Sequence, residues 1–166
     1  IKIVVLYHGG EPLLHKNFFE IIKRVKKINN DFFVKTVSNG MALKRENSEK
    51  LIDSQIDLIE FSLDGISSKE SQHIRIKSNT DKIIENIKNL IEIKKLSKSN
   101  KPKIYINTTQ FLENNIKDNK KISSEAPTPK WLIDIFGNSV DQIKCSYAIE
   151  WPHMGDVSSN FDIKKI

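Results

Sequence analysis

Apolar positions along this chain switch between two periods. Ile3-Val4-Val5-Leu6-Tyr7 is a continuous apolar run that reads as a buried strand and stops at Gly9-Gly10. Phe18, Ile21, Ile22, Val25 and Ile28 then recur at the three-and-four spacing of an amphipathic helix. The same alternation continues. Phe32 to Val37 is predicted as a strand stopped by Ser38-Asn39-Gly40, Glu46 to Ser54 as a helix burying Leu51 and Ile52, and Asp57 to Ser62 as a strand stopped by Asp64-Gly65. The clearest helix follows, capped by Ser78 or Asn79, with Asp81 in its first turn and a stripe of Ile83, Ile84, Ile87, Leu90 and Ile91. Lys103 to Thr109 reads as a fourth strand and Glu113 to Glu125 as an exposed polar loop. Pro127-Thr128-Pro129 leads into a helix carrying Trp131, Leu132, Ile135 and Phe136, and Val140 to Ile149 contains a fifth strand.

Strands alternating with helices, with nearly continuous apolar strands, imply an α/β fold of parallel strands covered by helices. Two architectures satisfy that pattern: an open doubly wound sheet, or part of a (β/α) barrel. With 166 residues, no repeat at a fixed period and no low-complexity linker, one domain is expected.

Charge changes this picture little. The net charge is +6, but among the 27 basic residues only Arg24, Arg45 and Arg75 are arginine. Dispersed lysines make a solvated face, whereas phosphate and base recognition favour the planar guanidinium, so no nucleic-acid partner is expected. The longest apolar stretch falls far short of the ~20 residues of a membrane span, and no signal peptide is visible, so the expected setting is cytoplasmic with no membrane partner. The single cysteine, Cys145, rules out a disulfide framework, a cysteine-rich zinc site and an iron–sulfur cluster held by this chain alone. Cys145 alternates with Ile143 and Tyr147 and reads as a core residue, while His8, His15, His73 and His153 show no metal-ligand spacing.

In parallel α/β folds ligands bind at the carboxyl ends of the strands, and the unusual residues of this chain fall there. The first strand ends at His8-Gly9-Gly10-Glu11-Pro12, the second at Ser38-Asn39-Gly40, the third at Ser62-Leu63-Asp64-Gly65, with Arg75 ten residues on. Paired glycines let a ligand approach the backbone, and Glu11 offers an anionic acceptor suited to an ammonium group. Ser38, Asn39 and Ser62 are short donors and acceptors, and Arg75 can hold a carboxylate through two parallel hydrogen bonds. The set fits an amino-acid-like zwitterion. It is not a phosphate cradle, since neither GxxxxGK[ST] nor GxGxxG occurs. Taken singly, Asn39-Gly40 is also compatible with a hairpin turn and Asp64-Gly65 with an ordinary turn.

Gly9-Gly10-Glu11-Pro12-Leu13-Leu14, then Ser38-Asn39-Gly40, then Ser62-Leu63-Asp64-Gly65 with Arg75 downstream, resembles the radical S-adenosylmethionine (radical SAM) enzymes. The likeness is to the branch with SPASM-type peptide- and protein-modifying members, and runs from Ile1 to about Thr109, more weakly to Gly155. The resemblance implies a partial (β/α)6 TIM-like barrel of parallel strands whose first β/α unit is missing, with residues 1–155 as the barrel core and 156–166 as a polar tail leading toward a missing C-terminal region. It implies S-adenosylmethionine and a 4Fe-4S cluster as cofactors, with Gly9, Gly10 and Glu11 at the methionine amino group, Ser62 and Arg75 near its carboxylate or ribose, and Ser38 and Asn39 on the same rim. The chemistry implied is reductive cleavage to a 5′-deoxyadenosyl radical that abstracts a substrate hydrogen. The implied partners are a peptide, protein or small-molecule substrate and a protein that reduces the cluster.

One part of the family pattern is absent. The three cluster cysteines, spaced Cys-x3-Cys-x2-Cys, precede the Gly-Gly-Glu segment in the family, and here only seven strand residues and His8 precede it. The expectation is therefore a fragment of a longer enzyme with cluster ligands upstream, inactive by itself and poorly soluble or partly unfolded because its first strand has an unpaired edge. The rival expectation is a cluster-free α/β module that binds an amino-acid-like ligand without catalysis.

Overall fold

The apolar runs form five strands, each hydrogen-bonded to the next in sequence. A computed structural model describes residues 2–65, 69–71, 78–110 and 126–147. It contains β1 (Ile3–Val5), a 3-10 turn (Pro12–Leu14), α1 (Phe18–Ile28), β2 (Phe33–Ser38), α2 (Arg45–Asp53), β3 (Leu58–Ser62), α3 (Thr80–Leu96), β4 (Lys103–Gln110), α4 (Lys130–Phe136), a second 3-10 turn (Gly137–Ser139) and β5 (Gln142–Tyr147). All pairings are parallel, in the order β1-β2-β3-β4-β5.

That order separates the two architectures. A doubly wound sheet reverses direction at a switch point, which sends helices to both faces. Here every step is to the next strand on the same side, and right-handed crossovers then put every helix on one face. The result is an arc of a (β/α) barrel wall. The convex face carries Val34, Ile59, Phe61, Ile104 and Ile106, packed in one core with Ile22 of α1, Leu51 of α2, Ile83, Ile87 and Leu90 of α3 and Leu132 of α4. The concave face carries Lys35 and Val37, Leu58 and Glu60, Tyr105 and Asn107, and Lys144, the alternate positions of the same strands.

Local signals account for the helices. The Asn79 side chain accepts a hydrogen bond from the Lys82 amide at 3.0 Å, capping α3, with Asp81 in the first turn and Lys94 and Lys95 in the last. Ile83, Ile87, Leu90 and Ile93 are buried, whereas Ile84 and Ile91 sit on the shoulder of the stripe and are only partly covered.

β1 departs from the expectation of a buried strand over residues 3–7. Its ladder ends at Val5, and Ile3 and Val5 are 57% and 46% exposed. β1 pairs on one side only, and its odd-numbered positions point to the concave face, where no described helix packs. The Leu6 amide still donates to the Lys35 carbonyl at 2.9 Å and carries the chain on toward the rim. The 113–125 loop, the segment around Arg75 and the tail after Trp151 lie outside the described residues.

At the amino ends of the strands, Asp57 ties four segments together. Its Oδ2 accepts from Lys26 Nζ of α1 and from the Val34 amide of β2 at 2.7 Å, and its Oδ1 accepts from Lys101 Nζ at 2.5 Å. Burial alone would push the Asp57 pKa up. The hydrogen bonds from Lys101, Lys26 and Val34 outweigh it and hold the carboxyl below its usual 3.8.

Candidate functional site

The carboxyl ends of β1, β2 and β3 converge on a pocket of about 230 Å³ lined by Gly10, Glu11, Ser38, Asn39 and Ser62, with Tyr7 and Val37. Five of the seven residues singled out from the sequence therefore meet in one place. Gly9 adjoins the pocket without lining it, and Arg75 lies outside the described residues.

Glu11 organises the rim. It caps the Pro12–Leu14 turn, its Oε1 accepting from the Leu13 amide at 3.1 Å and from the Ser38 hydroxyl at 2.7 Å, while Oε2 accepts from the Asn39 amide at 2.8 Å. Ser38 Oγ in turn accepts from the Gly40 amide at 3.0 Å. Three of the roughly four lone-pair sites of the carboxylate are used, which locks the β1 and β2 loops together and leaves one site for a ligand donor.

The glycines divide into two kinds. Gly9 has φ +61°, the left-handed region that favours glycine. Gly10 has no such constraint, and a Cβ there would meet nothing within 4 Å. The protein's own packing gives no reason for glycine at position 10, whereas a ligand lying against that backbone does. Among the described residues no hydrogen bond ends on the carbonyl of Gly9 or Gly10.

Asn39-Gly40 is not a hairpin turn, since β2 and β3 are parallel. Asn39 Oδ1 accepts from the Met41 amide at 2.9 Å, and the Gly40 carbonyl accepts from Asn86 Nδ2 of α3 at 3.0 Å. Gly40 has φ +74°, and a Cβ there would stand 2.9 Å from Ile83 Cγ2, so α3 packs directly on the loop. Asp64-Gly65 ties β3 to β4: Asp64 Oδ1 accepts from the Thr109 amide at 3.0 Å, and the Gly65 amide donates to the Thr109 carbonyl at 3.1 Å. Its role is to fix the wall, not to line the pocket.

Three groups escape the sequence pattern. Tyr7 and Val37 line the pocket, and on the concave wall Glu60 Oε1 accepts from Asn107 Nδ2 at 3.0 Å while Oε2 accepts from Lys144 Nζ at 3.1 Å. The available signal was a glutamate in the middle of the apolar run Leu58-Ile59-Glu60-Phe61. Cys145 is half-buried on the helix side, where burial pushes its thiol pKa up despite a hydrogen bond with Thr128.

At about 230 Å³ the pocket has room for an amino-acid-sized group. One carboxylate acceptor and bare glycine backbone suit the ammonium end of a methionyl group. A 4Fe-4S cluster does not fit: the chain has one cysteine, and among the described residues no group of three or more His, Cys, Asp or Glu is placed to hold a metal.

A one-sided arc of parallel strands with a pocket at its carboxyl ends is the wall of a barrel-type fold. Residues 2–121 match the family model of the Radical SAM superfamily, and the chain belongs to that superfamily. It is 35% identical over 75 residues to a GTP 3',8-cyclase of Staphylococcus haemolyticus, covering 43% of this chain and 22% of that protein. It is 26% identical over 115 residues to a tungsten-containing aldehyde ferredoxin oxidoreductase cofactor-modifying protein of Pyrococcus furiosus, covering 68% of this chain and 32% of that protein. The chain thus spans about a fifth to a third of the length of these relatives. Among solved structures, Streptococcus suis SuiB bound to S-adenosylmethionine superposes with TM-score 0.61 at 17% identity, over 91% of this chain and 30% of SuiB. SuiB bound to its precursor peptide SuiA gives 0.59 at 17% identity, over 89% of this chain and 28% of SuiB. These likenesses bear out the barrel-type fold. No described helix is long and apolar enough to cross a membrane.

Proposed function

We propose that this chain is the S-adenosylmethionine-binding portion of a radical SAM enzyme, its cluster-ligating thiolates lying outside this sequence. The observation that carries the reading is the Glu11 carboxylate, fixed by three donors beside a glycine whose missing side chain opens the pocket. In this reading the carbonyls of Gly9 and Gly10 and the remaining Glu11 lone pair accept the methionine ammonium. Ser38 and Asn39 hold Glu11 in place, Ser62 borders the methionyl group, and Arg75 takes its carboxylate or the ribose. S-adenosylmethionine, cleaved reductively at a cluster, supplies the hydrogen-abstracting 5′-deoxyadenosyl radical. A reductant protein is the implied partner. For the substrate, SuiB bound to a precursor peptide favours a peptide or protein, and the cyclase relatives favour a small molecule. A cytoplasmic setting suits a chain without a membrane-spanning helix among its described residues.

The test is S-adenosylmethionine binding, followed by calorimetry in the cluster-reconstituted protein under anaerobic conditions. Glu11→Ala and Arg75→Ala each remove a charge-assisted contact of roughly 1.5–3 kcal/mol and are expected to weaken binding about ten- to a hundred-fold. Circular dichroism melts separate a lost contact from a lost fold. Unchanged affinity in both variants removes the site assignment. Binding of S-adenosylmethionine by a protein that takes up no cluster would instead assign a non-catalytic binding module.

A further inference from the structure

The concave wall beside the pocket carries charge that the S-adenosylmethionine reading does not use. Pairing registers Ser62 with Asn107 and Asn107 with Lys144, so a single cross-strand row runs from the pocket wall to Lys144. Glu60 and Tyr105 lie one row deeper on the same face. The Glu60 side chain is 9% exposed and receives hydrogen bonds from both Asn107 and Lys144, so its charge is already matched. Lys144 is different. One N–H is on Glu60, the ammonium lies 4.7 Å from the Tyr105 ring centroid, and the side chain is 40% exposed toward the open side of the wall. An ammonium has three donors, so at least one remains for a ligand.

A second lysine stands on the concave wall. Lys35 lies over the Tyr7 ring at 5.9 Å and makes no ion pair with a carboxylate among the described residues. Glu11, the rim carboxylate, keeps one lone-pair site beyond its three donors, and the S-adenosylmethionine reading gives that site to the methionine ammonium. Lys144 and Glu60 offset one another, so the case for an anion rests on the spare, partly exposed N–H donors of Lys144 and not on a surplus of charge.

We propose that Lys144, held by Glu60 and laid over Tyr105, anchors an anionic group of the substrate, a carboxylate or a phosphate, against the wall next to the pocket. Glu60 and Tyr105 are positioning residues: they fix the ammonium so that the substrate group meets a preformed donor. The inference rests on the pocket being the S-adenosylmethionine site, because that makes the adjoining wall the place where substrate lies.

The test uses protein labelled with 13C at lysine Cε and loaded with S-adenosylmethionine, titrated with inorganic phosphate and separately with acetate at constant ionic strength. The Lys144 resonance, assigned by its loss in Lys144→Met, is expected to move saturably with at least one anion, while the exposed Lys23 drifts without saturating. Saturation with phosphate alone identifies a phosphorylated substrate group, and with acetate alone a carboxylate. Retention of the saturating anion is expected to fall about tenfold or more in Lys144→Met and to survive in Lys144→Arg. Affinity for S-adenosylmethionine is expected to stay within about twofold in both variants, because neither touches the pocket. Lys144 responding no more than Lys23, or Lys144→Met retaining the anion as well as the parent, overturns the proposal. Failure of the parent to bind S-adenosylmethionine overturns the pocket reading instead, and the Lys144 titration still reports on the anion site.

Discussion

Replacing Asp57 by Asn tests the account of what holds the lower end of the barrel wall. In the parent, Asp57 and Lys26 have side chains 10% and 7% exposed, and Lys101 supplies a second, more exposed partner. Asn keeps an acceptor for the Val34 amide but removes the charge, leaving the Lys26 ammonium buried without a counter-ion. Losing one partner of a buried pair costs about 3–5 kcal/mol. Lys26 also donates to the Phe32 carbonyl at 2.7 Å, and Lys101 can turn to solvent, so the lower end, about 3 kcal/mol, is expected. In urea unfolding followed by circular dichroism at pH 7, with an m-value of about 2 kcal/mol/M, the midpoint falls by about 1.5 M. The folded-state pKa of Asp57 lies below its usual 3.8, so its contribution is fully present above that value and is lost as pH falls through it toward the folded pKa. The gap between parent and variant should therefore hold from pH 7 to about 5 and close as pH drops below about 4. A midpoint shift under ~0.3 M at pH 7, or a gap that does not narrow in acid, refutes the reasoning.

The two site glycines are expected to respond in opposite ways. Gly9→Ala forces a side chain into φ +61° and should cost about 1–2 kcal/mol in stability, whereas Gly10→Ala should leave the urea midpoint within experimental error and weaken S-adenosylmethionine binding at least about tenfold. Asn86→Leu removes the donor to the Gly40 carbonyl in a buried position, and a loss of about 1–3 kcal/mol by the same unfolding assay is expected.

The strand–helix alternation was legible because each element carries its own signal. The period of two or of nearly four is set by local geometry, and Asn79 caps α3 where a cap was read. The rim was legible for a related reason. Loops at parallel strand ends cannot be hairpins, so Gly9-Gly10-Glu11, Ser38-Asn39 and Ser62 had to face the same end of the sheet. β1 is less buried than its apolar run implies because its odd-numbered positions face the concave side, where no described helix packs, and the sequence does not say which face of a strand is covered. Glu60 and Lys144 were missed because they lie 84 positions apart and become partners only when β3, β4 and β5 align in register.

By itself, then, the sequence determined which segments are strands and helices, which residues collect at the strand ends, and that the chain offers one thiolate where a cluster needs several. Tertiary structure decided the rest. Sequential strand order chose a barrel arc over a doubly wound sheet, and the hydrogen bonds onto Glu11 made separate loops one pocket. Register turned a glutamate and a lysine on different strands into one fixed ammonium on the concave wall. The physical reason is range: periodicity and capping act within a few residues, whereas pairing order, edge exposure and cross-strand contacts depend on segments that meet only in the folded chain.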